Sequence, residues 1–356
     1  MKILQVITSM HIGGAEKVVM ELILGLRALG HDVDVALFSG EDTDFKRQLD
    51  RSGCRVFSFS IGGKTYNPIY ILKLWRIMHR YDIVHTHNTA PQFFAAIAGL
   101  GSKAKLITTE HSSSNRRREK GHLKWFDNWL YGRYDTIVCI ADQAKQAMET
   151  YLGRRMDDVA VINNGVNVED FHSAEPASEL YPHCGKFVIA MVAGFRYEKD
   201  QDTVIKAMTN LTDGYELWLV GDGVRRKELE VLIETEGVKD RVKLLGIRKD
   251  VSNILHAADV VIMSSHREGL SLSNVEGMSV GKPFIASDVD GLREVTQGYG
   301  ILFPHKDAIA LAKIIDRLHT DKDYYHTVAD RCYKRALEFD VNKMVEGYID
   351  IYRSLI

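Results

Sequence analysis

KFVIAMVAG (186–194) runs directly into FRYEKD (195–200), and the reading of this stretch decides the fold. An apolar run of strand length ends in a glycine. A short polar turn follows, and Asp200 is placed to cap the helix that begins after it. A strand feeding a helix through a glycine turn is half of a β–α unit, so the rest of the chain is searched for the same rhythm. It recurs downstream in ELWLVG (216–221), VKLLG (242–246), DVVIMSS (259–265), PFIAS (283–287) and GILF (300–303). Upstream it recurs in KILQVIT (2–8), DVDVALF (32–38), RVFSFS (55–60), DIVHTH (82–87), KLITTE (105–110) and DTIVCI (135–140). Between strands lie helical patterns such as AEKVVMELILGLRALG, with Val18, Leu22, Leu26 and Leu29 on one face. Such alternation predicts parallel sheets covered by helices on both sides.

The chain has 356 residues, more than one ordinary core accommodates, so two domains are expected. The rhythm lapses in HSAEPASELYPHCGK (172–186), which predicts a linker over 173–186 between an N-terminal domain 1–172 and a C-terminal domain 187–338. Helices are expected at 306–319, 322–338 and 341–355, the last apolar enough to dock on another surface. Two doubly wound, Rossmann-like α/β domains facing a cleft are the simplest architecture, with ligands outside the carboxyl ends of the strands.

Net charge is only −2, which argues against nucleic acid as a general partner. Four scattered cysteines, with no C-x-x-C pair, argue against a zinc site or disulfide framework and suit a reducing cytoplasm. MKILQVITSM reads as a first strand rather than a signal peptide, and no apolar run is long enough to span a membrane.

Three motifs invite over-reading. GLGSKA (99–104) fits a dinucleotide expression but follows a helix-like FFAAIAGL, so its glycines are expected to end that helix. Asp32 and Asp34 alternate with valines on one strand face. Asp288 and Asp290 lack a second carboxylate cluster, so no metal site is expected.

Two cations, Arg196 and Lys199, precede the helix capped by Asp200. Cations oppose the macrodipole there by up to about 1 kcal/mol, an arrangement that an intervening anion resolves. HREGLSLSNVEGMSVGKPFIASDVDGLREV (266–295) adds Glu268 at a strand end and Glu276 on a short helix beginning near Leu270, Ser271 and Leu272. Glu276 can reach a ligand or serve Ser273 in a capping box. In the first half, the loop His11 to Glu16 is either a tight turn or a place where Gly14 lets a ligand approach. His85, His87, Asn88 and His111 gather at strand ends on the same expected edge. The run Arg116, Arg117, Arg118, Lys120, Lys124 and Trp125 is either a solvated face or a contact for anionic lipid.

The ordered set GGAE, HTHN, TTEH, VINNGVN, GFRYEK, VGDG, LLG and E-x7-E resembles the retaining glycosyltransferase family 4, of the GT-B fold, over essentially the whole chain. The resemblance implies transfer of a sugar from a nucleotide diphosphate donor without a bound metal or other cofactor. By position, Arg196 and Lys199 would hold the diphosphate, Glu268 the donor sugar and Glu276 the ribose. His111 would stand near the reacting sugar, and Gly14 near donor or acceptor. Gly246 to Arg248 would border the base, and Asn164-Gly165 the passage between domains. His11, His85, His87 and Asn88 fall on the acceptor side, and residues 339–356 would return to the first domain. Phe195 intrudes where many relatives carry arginine, Asp290-Gly291 replaces the usual glycine pair, and Asn167 stands where aspartate is common. The segment TTEHSSSNRRR resembles bacterial enzymes building surface polysaccharides, which implies a UDP-sugar donor and a glycan or polyprenyl-linked acceptor. A nucleotide-sugar epimerase of the same fold and a non-catalytic donor-binding subunit are the alternatives.

Overall fold

The computed structural model describes residues 1–11, 13–111, 124–153, 159–180, 185–268 and 272–356. The chain divides into two compact units, Met1–Gly165 with Val341–Ile356, and Val166–Asp340. The division falls upstream of the predicted 173–186 linker, because the residues before and within that stretch are tied down. A short helix, Val168–His172, buries Val168 and Phe171 in the second unit's core. The carbonyl of His172 meets the His256 ring at 2.8 Å, and Ala177 N–H donates to the Asn253 carbonyl at 3.0 Å. Hydrogen-bonded backbone of this kind is an integral part of a domain, whatever its proline content.

The first unit is a seven-stranded parallel sheet: β1 (Lys2–Ile7), β2 (Asp32–Leu37), β3 (Val56–Ser58), β4 (Ile83–His87), β5 (Lys105–Glu110), β6 (Thr136–Cys139) and β7 (Val159–Val161). Their order is β3-β2-β1-β4-β5-β6-β7. The three-residue edge strand β7 escapes sequence reading because it is too short to show a period. The helix Val341–Leu355 joins this unit and packs against the helix Gly14–Ala28. Its buried residues Val341, Met344, Val345, Tyr348, Ile349 and Tyr352 follow the 3, 4, 7, 8, 11 spacing of one helix face. Gly25 allows the close approach, since a Cβ there would lie 2.6 Å from a Val345 methyl.

The second unit is a six-stranded parallel sheet: β8 (Phe187–Val192), β9 (Tyr215–Val220), β10 (Val242–Gly246), β11 (Val260–Met263), β12 (Phe284–Ser287) and β13 (Ile301–Phe303), in the order β10-β9-β8-β11-β12-β13. β9 is buried at every residue, as expected of a strand with helices on both faces. Each such aliphatic side chain contributes roughly 1.5–3 kcal/mol by leaving water.

Strand order reverses between β1 and β4 in the first sheet and between β8 and β11 in the second. Loops leaving those strands splay apart and open a crevice at the carboxyl edge, where ligands bind in open α/β sheets. Among the residues singled out by sequence, Gly14 and Asn88 follow the first pair, and Arg196, Lys199 and Glu268 follow the second.

Candidate functional site

In the second unit, β8 ends at Val192 and the loop to Asp200 folds back over the sheet edge. Asp200 caps the helix Gln201–Ala207, accepting from Thr203 N–H at 3.3 Å and Thr203 Oγ1 at 2.7 Å. Lys199 pairs with Ser265 of the loop after β11 in an isolated bridge, which brings the two switch-point loops together. Its ammonium donates to Glu268 Oε1, which also accepts from Ser265 Oγ at 3.0 Å. Both side chains are largely covered, at 20% and 15% exposure. Burial, and then the nearby charge of Arg196, pulls the Lys199 ammonium down to about 8, against the pull of Glu198. Arg196 is exposed beside it. An anion docked between Arg196 and Lys199 would relieve that repulsion.

Glycine makes this edge possible. Gly221, at φ +139°, lies so close to the Ala193 carbonyl that a Cβ would come within 2.2 Å of its oxygen. Gly223 stands likewise against Phe195, whose carbonyl oxygen would lie 2.4 Å from an added Cβ. The VGDG loop is thus a pressed support under the AGF loop. Sequence reading missed a second support, Arg225. It is 8% exposed, holds Asp202 with two bonds of 2.7 and 2.9 Å, and donates to Glu228 at 3.0 Å. Its guanidinium also reaches the Lys199 carbonyl at 3.5 Å. An arginine two residues beyond a glycine turn was the available signal.

Gly246 takes φ +69° and accepts from Gly221 N–H at 2.8 Å. Arg248 is engaged by Asp250 (2.6 and 2.8 Å) and by Glu179, so its charge is locally neutralised. The helix Leu272–Ser279 places half-buried Glu276 more than a turn from its start. Ser273 lies inside this helix, which removes the capping box. Leu270 and Ser271 lie outside the described residues, and Leu272 packs on the core. Asn274, which the sequence did not flag, is fully buried with no partner for its amide among the described residues.

Three of the four aspartates in the D-x-D triplets are in structural use. Asp34 accepts from Tyr81 at 2.6 Å and Arg55 N–H at 3.2 Å, while Asp288 and Asp290 hold Arg293 at 2.5 and 3.0 Å. Among the described residues, one trio of potential metal ligands lies together: Asp200, His266 and His305. Asp200 serves the helix cap and Ser264 (3.1 Å), and the two rings bond each other at 2.8 Å. Gly99 and Gly101 follow the helix Thr89–Ala98, Gly101 at φ +79°, which suits the end of that helix.

In the first unit, the histidines take different parts. His85 is fully buried and spends both ring nitrogens, on Tyr352 (2.7 Å) and Thr109 (2.8 Å). His87 is fully buried between Gln5 (2.8 Å) and His111 (2.9 Å). Both rings lie beneath the surface of the unit with their nitrogens engaged, whereas the sequence placed them on the acceptor side. Burial holds both well below the ordinary histidine value, and brings His111 down to about 4 against the opposing charge of Glu110. His111 is the member at the sheet edge, and its Nδ1 has no partner among the described residues. His11 is exposed and bonds Glu41 at 2.8 Å. Asn88 is half-buried at φ 70° and ψ 158°, outside the left-handed helical region that asparagine tolerates, so its backbone is strained. Gly14 is exposed, and a Cβ there would meet nothing within 4 Å, so packing gives no reason for glycine. Arg116, Arg117, Arg118 and Lys120 lie outside the described residues, while Trp125 is 73% exposed on the helix Lys124–Tyr131.

Two Rossmann-like parallel sheets with polar loops at both switch points are the architecture of the GT-B fold. Solved structures share the fold: HepE of Anabaena, crystallised with UDP, superposes with a TM-score of 0.85 over 99% of this chain and 100% of its own, at 24% identity. The same protein with UDP-glucose gives 0.82. In sequence, residues 12–170 match the model of Glycosyltransferase Family 4, and residues 180–335 that of Glycosyl transferases group 1. The chain therefore belongs to the family 4 type of glycosyltransferases. Relatives include the UDP-Gal:alpha-D-GlcNAc-diphosphoundecaprenol alpha-1,3-galactosyltransferase of Escherichia coli, 26% identical over 80% of this chain and 79% of its own length. The lipopolysaccharide core biosynthesis glycosyltransferase LpsD of Rhizobium meliloti is 30% identical over 65% of this chain and 66% of its own.

Proposed function

We propose that this protein is a retaining, metal-independent hexosyltransferase. In this reading it moves a sugar from a UDP-sugar to a glycan or polyprenyl-linked acceptor in bacterial surface-polysaccharide synthesis. The observation that carries the reading is the Lys199–Glu268 pair at the second switch point, with exposed Arg196 beside it. Diphosphate is the anion that fits two adjacent cations of which one is desolvated.

In the reaction, the bond from the anomeric carbon to the diphosphate oxygen breaks as the acceptor oxygen bonds that carbon. The acceptor's proton leaves on the released nucleotide. Lys199 and Arg196 stabilise the charge developing on the departing phosphate. Glu268 already accepts from Lys199 and Ser265, which suits a carboxylate that orients sugar hydroxyls better than one that attacks carbon. That favours displacement on one face of the sugar and retention of configuration. UDP and lipid-linked sugar are drawn from what the relatives act on.

The test is a panel of sugar nucleotides with and without glycan and lipid-linked acceptors, followed by NMR of the product. The reading expects UDP release only with acceptor, an anomeric configuration matching the donor, and no loss of rate in EDTA. Release of UDP with no acceptor, an inverted product or a metal requirement contradicts the corresponding part. A peripheral membrane role belongs to the same proposal and rests on Trp125 and the basic run before it. No helix among the described residues is long and apolar enough to cross a membrane. Co-sedimentation with anionic but not neutral vesicles, lost in Trp125→Ser, is the expected result.

A further inference from the structure

The hydrogen bonds that end at His111 run in one direction, and that direction fixes where its proton sits. Tyr352 Oη lies 2.7 Å from His85 Nδ1 and 3.2 Å from Gln5 Nε2. Hydroxyl donors make the shorter bonds and amide N–H donors the longer ones, so the phenol donates to His85 and accepts from Gln5. The Gln5 amide is thereby oriented with Oε1 toward His87 Nε2, 2.8 Å away. A carbonyl oxygen only accepts, so His87 Nε2 carries that ring's hydrogen. His87 is fully buried and its ring is neutral, which leaves its Nδ1 bare. That nitrogen accepts from His111 Nε2 at 2.9 Å.

A neutral imidazole has one N–H, and His111 spends it on His87. Its Nδ1 is then a lone pair, buried and without a partner among the described residues, at the carboxyl end of β5. A bare ring nitrogen repels phosphate oxygens, which are acceptors too. It attracts a hydroxyl.

We propose that Tyr352, Gln5 and His87 act as positioning residues that lock His111 into the Nε2–H tautomer, so that Nδ1 is a standing acceptor for a sugar hydroxyl. The tautomer rests on the hydrogen-bond geometry of buried, neutral rings, and the identity of the ligand rests on the transferase reading. Tyr352 belongs to the helix that follows directly on Asp340, so the last segment of the chain sets the proton position at the sheet edge.

The experiment is long-range 1H–15N NMR of the full chain, with the His111 signals assigned by their loss in His111→Asn. The expected spectrum has His111 Nε2 protonated and Nδ1 unprotonated. Tyr352→Phe removes the hydroxyl that orients Gln5, and Gln5→Leu removes the acceptor for His87. Both are expected to give mixed tautomers and to lower kcat by roughly tenfold to a hundredfold, the range for one misdirected buried hydrogen bond, with UDP affinity unchanged. Tyr352→Phe keeps the packing of the ring and so covers the case in which Gln5→Leu does not fold. A protonated Nδ1 in the wild type overturns the proposal, as does an unmixed tautomer in both variants. UDP-glucose or UDP-galactose moving the Nδ1 signal where UDP does not assigns the hydroxyl to the donor. Free N-acetylglucosamine moving it assigns the hydroxyl to the acceptor. If none moves it while UDP shifts other signals, the hydroxyl acceptor is refuted. The tautomer is read without turnover, so a correct tautomer in a protein that transfers no sugar counts against the transferase reading alone.

Discussion

The two sheet edges solve different chemical problems with the same topology. At the edge of the first unit the polar groups are neutral, deeply buried and linked through hydrogen bonds: Gln5, His85, His87 and Tyr352, ending at His111. At the edge of the second unit they are ionic and covered to differing degrees: Lys199 with Glu268, Arg225 with Asp202 and Glu228, Arg248 with Asp250. Buried neutral networks fix direction and tautomer, whereas partly exposed ion pairs can exchange one partner for another. On the proposed reading, the first edge directs a hydroxyl and the second takes an anion.

Breaking the charged edge carries the largest expected effect. Lys199→Ala removes the ammonium and leaves Glu268 without it, and kcat/KM for transfer should fall by a factor on the order of 10^2 to 10^3. A loss no greater than that of a surface lysine would remove the anion site from this edge. Gly221→Val comes next, because φ +139° excludes a side chain and its Cβ would strike the Ala193 carbonyl. Thermal or urea unfolding should register a loss of about 3 kcal/mol, against a small change for Gly14→Val, which meets open space. Gly14→Val should instead lower turnover, and normal turnover would refute ligand approach there.

The titration of Lys199 sharpens the same contrast. With the ammonium near 8 in the free protein, an anion that prefers the charged form binds with full affinity below that pH. Affinity for UDP should fall as pH rises through 8, by up to about tenfold per pH unit, and Lys199→Arg should flatten the profile. His111, at about 4, contributes no slope above pH 6. Arg196→Ala is the smallest perturbation, roughly tenfold weaker in donor affinity, because the side chain is exposed and screened.

Much of this was legible in the sequence, for reasons that differ by region. Twelve of the strands announced themselves because buried parallel strands are uninterrupted apolar runs, and the helix cap at Asp200 followed from its position after a cationic turn. The edge strand β7 was too short to read. The 173–186 segment reads as a linker because proline and polar composition say nothing about its hydrogen bonds to Asn253. At the site, Lys199 and Glu268 were each legible as charged residues after a strand, but not their pairing, because β8 and β11 are neighbours in the sheet and not in the sequence. His85 and His87 could not be sorted from His111, since alternation along β4 puts both on one face and does not reveal that Gln5 and Tyr352 close over them. Arg225 was hidden for the same reason: the carboxylate it holds with two bonds, Asp202, lies in the helix Gln201–Ala207, far away in sequence.

The central claim is that the second unit's edge holds a diphosphate through Lys199 and Arg196. Calorimetry of UDP against uridine, in the wild type and in the Lys199→Ala/Arg196→Ala double variant, tests it most directly. The account predicts that the wild type binds UDP far more tightly than uridine, and that the double variant loses this advantage while uridine binding is unchanged. A double variant that still prefers UDP by the wild-type margin would contradict it.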